Sequence, residues 1–414
     1  MNDNHSNPEL IYRPRWIVPI IRDAIKNYPI IVLKYIRNFK NAMRIFTFPA
    51  LCLFSFTFFL SCDPLVTTFE DVEDAVMYKA ASIIEPGVVP PEGFDVIKVM
   101  TWNIRFGAAR IPWYIDSCGD RVLLTKKEVM TGLKGLAEKI KQVNPDILLL
   151  QEVDVESKRT AYVDEVQWLL DHTDMNYGAF ASMHQIQFIP SDGMGRIDQG
   201  NAILSRWKIL ETERIQLPLR GDQSALTQYF WVRRNILKVK INIPLSLPRD
   251  FYVVNIHAAA FSTDDTKRQQ IDKFIEILDE LDDNGAYYVA GGDLNEIPPS
   301  SDSTNFCDED RCPEDADDFC RDGSDFYAET DWLNDLYNGY TIHPAVPWSE
   351  YLEDNSPHFT HSVVTTGYSW NRKLDYLFSN LEWVTGMTIT HQDAFGLSDH
   401  APVSATLNID QPIP

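Results

Sequence analysis

One short stretch, residues 287–296, constrains the fold of this chain more than any other. It opens with the apolar, aromatic run Tyr287–Ala290, which predicts a buried strand, and two glycines follow. Asp293 and Asn295 come next, two residues apart, so their side chains can point into one small volume beyond the strand end. A carboxylate beside an amide suits a phosphoryl group, but Asp and Asn also favour turns that satisfy only their own backbone. The stretch alone leaves both interpretations open.

The same pattern, an apolar strand followed by a polar side chain, recurs along the chain. The predicted strands are Val96–Thr101, Asp146–Gln151, Phe230–Ile241, Phe251–His257, Tyr287–Gly291 and Leu374–Ser379. Apolar residues spaced by three and four predict helices over residues 129–143 and 271–281. Strands interleaved with helices indicate an α/β fold, in which polar groups gather beyond the strand ends.

The N-terminal segment predicts export. Arg44 precedes the apolar run Ile45–Leu60, and Ser61 precedes Cys62, a pattern that resembles a bacterial lipoprotein signal. We therefore expect cleavage before Cys62 and a membrane-anchored lipoprotein on the periplasmic or cell-surface side, held by a lipid on that cysteine. The alternative is a short N-terminal anchor helix. Residues 1–42 would make an unusually long leader, so we expect Met43 to be the true start.

Composition divides the chain into three parts. Residues 1–62 are the extension and signal segment, and residues 63–94, which are acidic and contain three prolines near their end, are expected to be a tether. The expected catalytic domain covers residues 95–410. An acidic, cysteine-bearing insertion at about 298–331 follows the Asp293 stretch.

The charge of the chain limits its partners. Residues 1–62 hold eight Lys/Arg and three Asp/Glu, which leaves 29 basic and 57 acidic residues and a net charge of −28 on the rest. Such a surface repels polyanions, so we expect no stable nucleic-acid partner. An enzyme that acts on phosphate esters remains possible if a bound divalent metal reverses the negative electrostatic potential at the site. We expect a monomer.

Four cysteines lie beyond the signal segment, namely Cys118, Cys307, Cys312 and Cys320. In an exported domain an even number favours two disulfides, with three pairings open. A zinc site is the alternative, although spacings of five and eight residues suit it poorly. The aspartates of the insertion, including Asp308 and Asp310, either bind a structural Ca²⁺ or belong to a solvated loop held by disulfides; we favour the loop.

Five blocks, in order, resemble motifs of the endonuclease/exonuclease/phosphatase superfamily. They are Thr101-Trp102-Asn103, Gln151-Glu152, Gly292-Asp293-Leu294-Asn295, Leu374-Asp375-Tyr376 and Ser398-Asp399-His400. This superfamily includes DNase I, abasic-site endonucleases, inositol-polyphosphate 5-phosphatases and sphingomyelinases. The resemblance covers residues 96–408. It implies a DNase I-like four-layer α/β sandwich, with two mixed β-sheets packed face to face and helices on the outside.

The resemblance also implies a metal site. Glu152 would bind Mg²⁺, or Mn²⁺ as a substitute, with Asn103 alongside and Asp399 as a further ligand. Magnesium takes few carboxylates and keeps several waters, so a sparse set of oxygen ligands fits it.

Catalytic roles follow from the same resemblance. His400 would act as general base on the attacking water, and Asp375 would hold its imidazole in orientation. Asp293 would lie near the phosphorus. Asn295 and His257 would donate hydrogen bonds to the non-bridging oxygens as negative charge builds.

Two further residues are expected to contact the substrate. Arg234 resembles a phosphate-contacting arginine of DNase-like members, with Arg233 as an equal rival. Trp370, together with Thr360 and His361, precedes the Asp375 block and is expected either to line the cleft or to pack in the core.

The expected function is Mg²⁺-dependent hydrolysis of a phosphodiester or phosphomonoester by in-line attack of water. The alternatives within this chemistry are a sphingomyelinase-like phospholipid phosphodiesterase and a DNase-like nuclease. The alternative of another class is a catalytically inactive binding module of the same fold.

Overall fold

A computed structural model of the protein describes residues 65–84, 96–116, 119–190, 192–243, 249–260, 262, 264–310, 331–339, 341–363 and 369–409. Within these ranges the strands are β1 (Val72–Glu73), β2 (Val76–Lys79), β3 (Val96–Asn103), β4 (Ile147–Asp154), β5 (Tyr177–Ile189), β6 (Gly195–Ser205), β7 (Ile209–Gln216), β8 (Asn235–Ile241), β9 (Phe251–His257), β10 (Tyr287–Asp293), β11 (His343–Pro344), β12 (Asp375–Ser379), β13 (Ile389–Thr390) and β14 (Val403–Asn408). The α-helices are α1 (Lys126–Val143), α2 (Glu165–His172), α3 (Ala225–Phe230), α4 (Thr266–Asp283), α5 (Cys307–Asp310), α6 (Asn334–Asn338) and α7 (Trp348–Glu353).

The strands form two seven-stranded sheets. The first, here called the β10 sheet, has the order β1-β7-β8-β9-β10-β12-β11, and the second, the β4 sheet, has the order β13-β14-β3-β4-β6-β5-β2. Both sheets are mixed, because β9 runs parallel to β10 and β3 runs parallel to β4 while the other paired strands are antiparallel. The carboxyl ends of β3, β4, β9 and β10 carry the polar groups that the sequence singles out.

Apolar side chains form three large buried layers. One layer combines side chains of both sheets, such as Val99 and Leu149 with Val253 and Val289, and therefore lies between them. A second covers the β4 sheet with α1 and α2, and a third covers the β10 sheet with α4. The predicted arrangement of two mixed sheets face to face, with helices outside, is confirmed.

The two predicted long helices are confirmed as α1 and α4. Helix α1 begins at a capping box, in which the Thr125 hydroxyl accepts from the Glu128 amide and the Glu128 carboxylate accepts from the Thr125 amide. Its apolar stripe, Val129 to Val143, is buried against the β4 sheet. Burial of each such side chain contributes about 1.5–3 kcal/mol, so the stripe holds the helix in place.

The prediction of a tether over residues 63–94 is wrong for residues 65–84. Within this stretch β1 pairs with β7 and β2 pairs with β5, so the segment adds an edge strand to each sheet. Val66 also forms a bridge with Ile186. Glu70, Asp71 and Asp74 are exposed beside these short strands, and composition alone does not distinguish such a segment from a tether.

Other predicted boundaries also shift. The strand predicted from Phe230 begins at Asn235, because Ser224 caps α3 by accepting from the Thr227 amide and residues up to Phe230 remain helical. Strands β5, β6, β7 and β14 were not predicted. Strand β6 is buried along nearly its whole length and carries Asp198, Gln199 and Asn201, so it lacks the alternating pattern that marks a half-exposed strand.

The acidic insertion is described only at its edges, and residues 311–330, with Cys312 and Cys320, lie outside the described residues, as does Cys118. Cys307 is disulfide-bonded, which confirms the predicted disulfide use and excludes zinc at that residue. The prediction of a solvated loop is wrong at Asp310, which is buried and pairs with Arg372. The predicted lipoprotein signal also lies outside the described residues, among which no helix is both long and apolar enough to cross a membrane.

Candidate active site

The ends of three neighbouring strands of the β10 sheet bring three site residues into register. Asp293 on β10 lies opposite His257 on the parallel strand β9 and opposite Asp375 on the antiparallel strand β12. The two glycines before Asp293 permit this close packing. Gly292 has a φ of +133°, and a Cβ at that position would lie 2.0 Å from the Ile256 carbonyl oxygen.

The β4 sheet supplies the opposite wall of the site. Asn103, at the end of β3, lies in register with Gln151 on β4, and Glu152 follows. The pairing of β4 with β6 shifts between Leu150 and Val153, and Glu152 within this bulge has a φ of +55°. A left-handed residue other than glycine costs on the order of 1–3 kcal/mol and is typical of functional sites, where a bulge re-aims a side chain.

Asp293 is the centre of the hydrogen-bond network. Its Oδ2 accepts from Asn103 Nδ2 at 3.0 Å, and it lies 3.4 Å from His257 Nε2 and 3.7 Å from His400 Nε2. Its Oδ1 accepts from the Asn295 amide at 2.9 Å. All of these groups except Asn295 are buried. The site therefore joins both sheets through one carboxylate.

His400 is held between two carboxylates. Its Nδ1 lies 2.8 Å from Asp375 Oδ2, and Asp375 is placed by Thr360, whose hydroxyl accepts from the Leu374 and Asp375 amides. Burial favours a neutral imidazole, but Asp375 and Asp293 outweigh it and raise the pKa of His400 to about 10. Since one carboxylate faces each ring nitrogen, His400 carries a positive charge near neutral pH.

The other two ionisable groups at the centre also depart from their ordinary values. Burial, with Asp375 adding to it, raises the pKa of Asp293 to about 7 despite the opposing charge of His400. Burial and the charge of Arg234 lower the pKa of His257, which is therefore neutral. The site thus combines a carboxyl that titrates near neutrality with one charged and one neutral imidazole.

Glu152 and Asp399 form a second acidic group beside this centre. Glu152 is partly exposed and makes no hydrogen bond or ion pair with the described residues, and burial together with Asp399 raises its pKa. Asp399 pairs with Arg105, Nε to Oδ2, at 3.1 Å and accepts from the Ser398 hydroxyl. Burial opposes ionisation of Asp399, but Arg105 and His400 prevail and lower its pKa.

Comparison with known proteins identifies the family. The family model for the endonuclease/exonuclease/phosphatase family matches residues 100–400, which is most of the chain. The chain belongs to the endonuclease/exonuclease/phosphatase family. No curated protein matches it.

Similar solved structures include an endonuclease/exonuclease/phosphatase from Beutenbergia cavernae DSM 12333, with 18% identity, 76% of this chain and 72% of that chain covered, and a TM-score of 0.49. A humanized D. rerio TDP2 with 14 mutations is 16% identical, with 76% of this chain and 99% of that chain covered and a TM-score of 0.44. The human Nocturnin catalytic domain with bound sulfate anion is 14% identical, with 81% of this chain and 96% of that chain covered and a TM-score of 0.47.

Members of this family are metal-dependent phosphoesterases, and the residues beside Asp293 fit a divalent cation. Glu152 offers a carboxylate that has no partner in the described ranges, and Asp399 lies close enough to raise the pKa of Glu152, so a bound cation would relieve their repulsion. Asn103 Oδ1 accepts from the Arg105 amide at 3.0 Å and keeps one lone pair.

A second arrangement could also attract a cation. Ligand atoms of Asp293, Asp375 and His400 lie within 4.8 Å of one another. In this group, however, the hydrogen bond between His400 and Asp375 already explains the convergence, and a cation there would face an imidazolium ion. Glu152, in contrast, makes no such hydrogen bond with any described residue.

Three predicted substrate-contacting residues lie close to Asp293. Burial lowers the pKa of Arg234, and the nearby charges of Glu152 and Asp293 oppose this in part. Within the part of the chain that the structure describes, Arg234 Nη1 is buried without a hydrogen-bond partner. His257 Nδ1 is also buried without a partner among these residues, and the single proton of the neutral ring belongs on Nε2, which faces Asp293. Asn295 donates one amide hydrogen to the Ala258 carbonyl oxygen and keeps the other. Arg234 and Asn295 therefore keep N–H groups that the described residues do not use.

Trp370 packs among Gln392, Phe395 and Arg110. Its indole donates to the Gln392 carbonyl oxygen at 3.0 Å, its ring packs edge-on against Phe395, and Arg110 lies over it. Trp370 is half-buried, and its contact with the substrate stays a prediction. Arg233 differs from Arg234 as well, since its Nη1 donates to the carbonyl oxygens of Tyr229 and Trp231 and so caps α3.

The sequence did not single out Arg105, although it pairs with both Asp399 and Asp116. It follows Asn103 by two residues and has a φ of +48°, and this turn is what directs the guanidinium back to the site. His361 is also more central than expected, because its ring lies on that of His400 with centroids 4.5 Å apart. Neither the turn nor the ring contact has a local sequence signal.

Proposed function

We propose that this protein is an exported Mg²⁺-dependent phosphoesterase that cleaves a phosphodiester or phosphomonoester by in-line attack of water. The observation that carries the proposal is the contact of one buried carboxylate, Asp293, with Asn103, His257 and His400 across two sheets. Convergence of this kind, with a perturbed pKa at its centre, is typical of catalytic sites.

The charges of the site favour a division of roles that differs from the one implied by the family resemblance. A general base must be deprotonated, and a pKa of about 10 leaves His400 protonated near neutral pH. Asp293, with a pKa of about 7, is better suited to take the proton of the attacking water. His400, as an imidazolium ion fixed by Asp375, would then donate a hydrogen bond to a phosphoryl oxygen.

The rest of the site would bind and orient the ester. Arg234 would pair with a non-bridging oxygen through Nη1, which no described residue occupies, and Asn295 and His257 would donate to the others. As water bonds to phosphorus, its proton passes to Asp293 and the bond to the leaving oxygen breaks. The leaving oxygen takes a proton from solvent.

Glu152, with Asp399 and Asn103, would hold the divalent ion, Mg²⁺ or Mn²⁺ in its place. When bound, such an ion neutralises phosphate charge and stabilises the negative charge that develops on oxygen.

The substrate is a phosphate ester that tolerates an acidic protein surface. The net charge of −28 outside residues 1–62 disfavours a dedicated nuclease, because binding to a nucleic-acid backbone depends on Lys and Arg. We further propose a monomeric lipoprotein, anchored at Cys62 on the periplasmic or cell-surface side.

A substrate panel tests the proposed activity. Bis-p-nitrophenyl phosphate, DNA, sphingomyelin, inositol phosphates and nucleotides would be incubated with the protein in Mg²⁺ and in EDTA. We expect turnover of at least one ester in Mg²⁺ only, and its loss in His400→Ala. Turnover that survives EDTA, or that is unchanged in His400→Ala, would show that another site or another protein is responsible.

A further inference from the structure

Helix α3 exposes an unusual number of apolar side chains. None of its residues is buried, and Leu226 and Tyr229 are 64% and 41% exposed. Trp231, directly after the helix, and Leu219, shortly before it, are 37% and 41% exposed. We call these four residues the apolar rim. Large apolar side chains that cluster on a surface and take no part in the core usually mark a contact with something outside the protein.

The backbone of this segment is firmly held, so the exposure is not that of a loose loop. Arg233 Nη1 donates to the carbonyl oxygens of Tyr229 and Trp231, both at 3.2 Å, and thereby satisfies the last turn of α3. His184 Nε2 lies 3.0 Å from the Phe230 carbonyl oxygen. The Gln228 side chain donates to the Arg220 carbonyl oxygen at 2.7 Å. The fold thus presents the apolar rim from a fixed support.

Strand β5 contacts both the residues that hold α3 and the first described residue, Leu65. The Arg233 amide donates to the Met183 carbonyl oxygen of β5, and the Gln187 amide of β5 donates to the Leu65 carbonyl oxygen. Met183 and Gln187 are four residues apart, which is about 13 Å along a strand. Leu65 and Phe188 are themselves exposed apolar residues at this end of β5.

Leu65 follows the predicted lipid-bearing residue, Cys62, by only three positions. Three residues reach at most about 10 Å when fully extended. Because residues 65–84 belong to the folded sheets, a lipid on Cys62 would keep this end of β5, and α3 with it, close to the bilayer. A tether of some thirty residues would have left the domain free to turn.

The apolar rim also adjoins the active site. Trp231 precedes Arg234 by three residues, and the charge of Arg234 reaches Glu152, Asp293 and His257. A surface that covers Trp231 would therefore lie at most about 10 Å of extended chain from Arg234.

We infer that the apolar rim, with Leu65 and Phe188, docks on the surface of the phospholipid bilayer that holds Cys62, and so fixes the active-site cleft beside that membrane. The side-chain chemistry fits this partner, because Tyr and Trp favour the membrane–water interface and leucines enter it to a shallow depth. The net charge of −28 outside residues 1–62 favours zwitterionic over anionic lipids. The inference rests on the lipid anchor proposed above and is independent of the substrate.

Quenching of tryptophan fluorescence by brominated lipid tests this docking. The full chain would be reconstituted in phosphatidylcholine vesicles with and without dibromo-phosphatidylcholine. If Trp231 lies in the interface, Trp231→Phe should remove about half or more of the quenched emission, since interfacial tryptophans are the ones that lipid bromines reach. The control Trp348→Phe, which removes a partly buried tryptophan of α7, should leave it unchanged. The double variant Leu226→Asp/Tyr229→Asp should reduce quenching as Trp231→Phe does.

Two results would overturn the inference. In the first, brominated lipid quenches the wild type and Trp231→Phe equally. In the second, the double variant halves the molar mass measured by light scattering in detergent, which would assign the apolar rim to a second copy of the chain. Hydrolysis of soluble bis-p-nitrophenyl phosphate, measured on the same samples, should be the same in all of them. Its absence from every sample, together with a substrate panel that shows no Mg²⁺-dependent turnover, would refute the proposed function and leave the quenching result valid.

Discussion

Neutralising Asp375 separates the two roles that His400 can play. Asp375→Asn keeps the shape of the side chain and removes the charge that lies 2.8 Å from His400 Nδ1. Since Asp375 raises the pKa of His400, the variant should lower that pKa. If His400 acts as an imidazolium ion, it then loses its proton at a lower pH, and the alkaline limb of the pH–rate profile moves to lower pH.

The size of the effect follows from the contact that is lost. A buried hydrogen bond to a charged group contributes about 1.5–3 kcal/mol. If that stabilisation is realised in the transition state, kcat/KM should fall by roughly 10- to 150-fold near neutral pH. The assay is hydrolysis of bis-p-nitrophenyl phosphate in Mg²⁺ between pH 5 and about 10, near the upper pKa of the site. Asp272→Asn, on the exposed face of α4, is the matched control and should behave as the wild type.

The opposite shift would refute this assignment. If neutral His400 accepts the proton of water, a lower pKa makes more of it available, and the acid limb of the profile moves to lower pH while the alkaline limb stays in place. Circular dichroism melting of Asp375→Asn would show that the variant is folded before either outcome is interpreted.

Three further variants test other parts of the site. Glu152→Gln should raise the Mg²⁺ concentration needed for half-maximal activity by more than about 100-fold, measured by metal titration, because a direct ligand matters more than the outer-shell groups whose loss costs 10- to 100-fold. Arg234→Ala should lower kcat/KM by roughly 10- to 150-fold through one lost charge-assisted hydrogen bond, and an unchanged value would remove Arg234 from the site. Lys373 is buried, which lowers its pKa to about 8. The unfolded chain therefore binds more protons between pH 8 and the ordinary pKa of Lys, so the free energy of unfolding of the wild type should rise through this window relative to Lys373→Met. The rise should be on the order of 3 kcal/mol in urea titrations, and a constant difference would contradict it.

Site residues were predicted best where an apolar strand pattern ends in a polar side chain. Asp293, His257 and Asp375 were each predicted at the tip of an apolar strand, and the sheet register brings all three together. The helix stripes of α1 and α4 were equally clear, because a spacing of three and four residues reflects the geometry of the helix itself.

Other features of the site and the fold have no local sequence pattern that predicts them. The bulge that turns Glu152 and the positive φ of Arg105 depend on neighbouring strands and on backbone conformation, which residue types do not report. Residues 65–84 were assigned to a tether because edge strands are short and polar, as linkers are. The sequence also did not predict that α3 is exposed, because large apolar residues such as Leu226 and Trp231 are usually expected in the core.

The most direct test of the central claim follows the oxygen of the attacking water. In a single turnover in H₂¹⁸O with Mg²⁺, we expect one ¹⁸O atom in the phosphate product and none in the released alcohol, with no product formed in EDTA or by Asp293→Asn. Label in the alcohol would show that water does not attack phosphorus. Label in phosphate at the same rate in EDTA, or with Asp293→Asn, would show that neither the metal nor Asp293 performs the reaction.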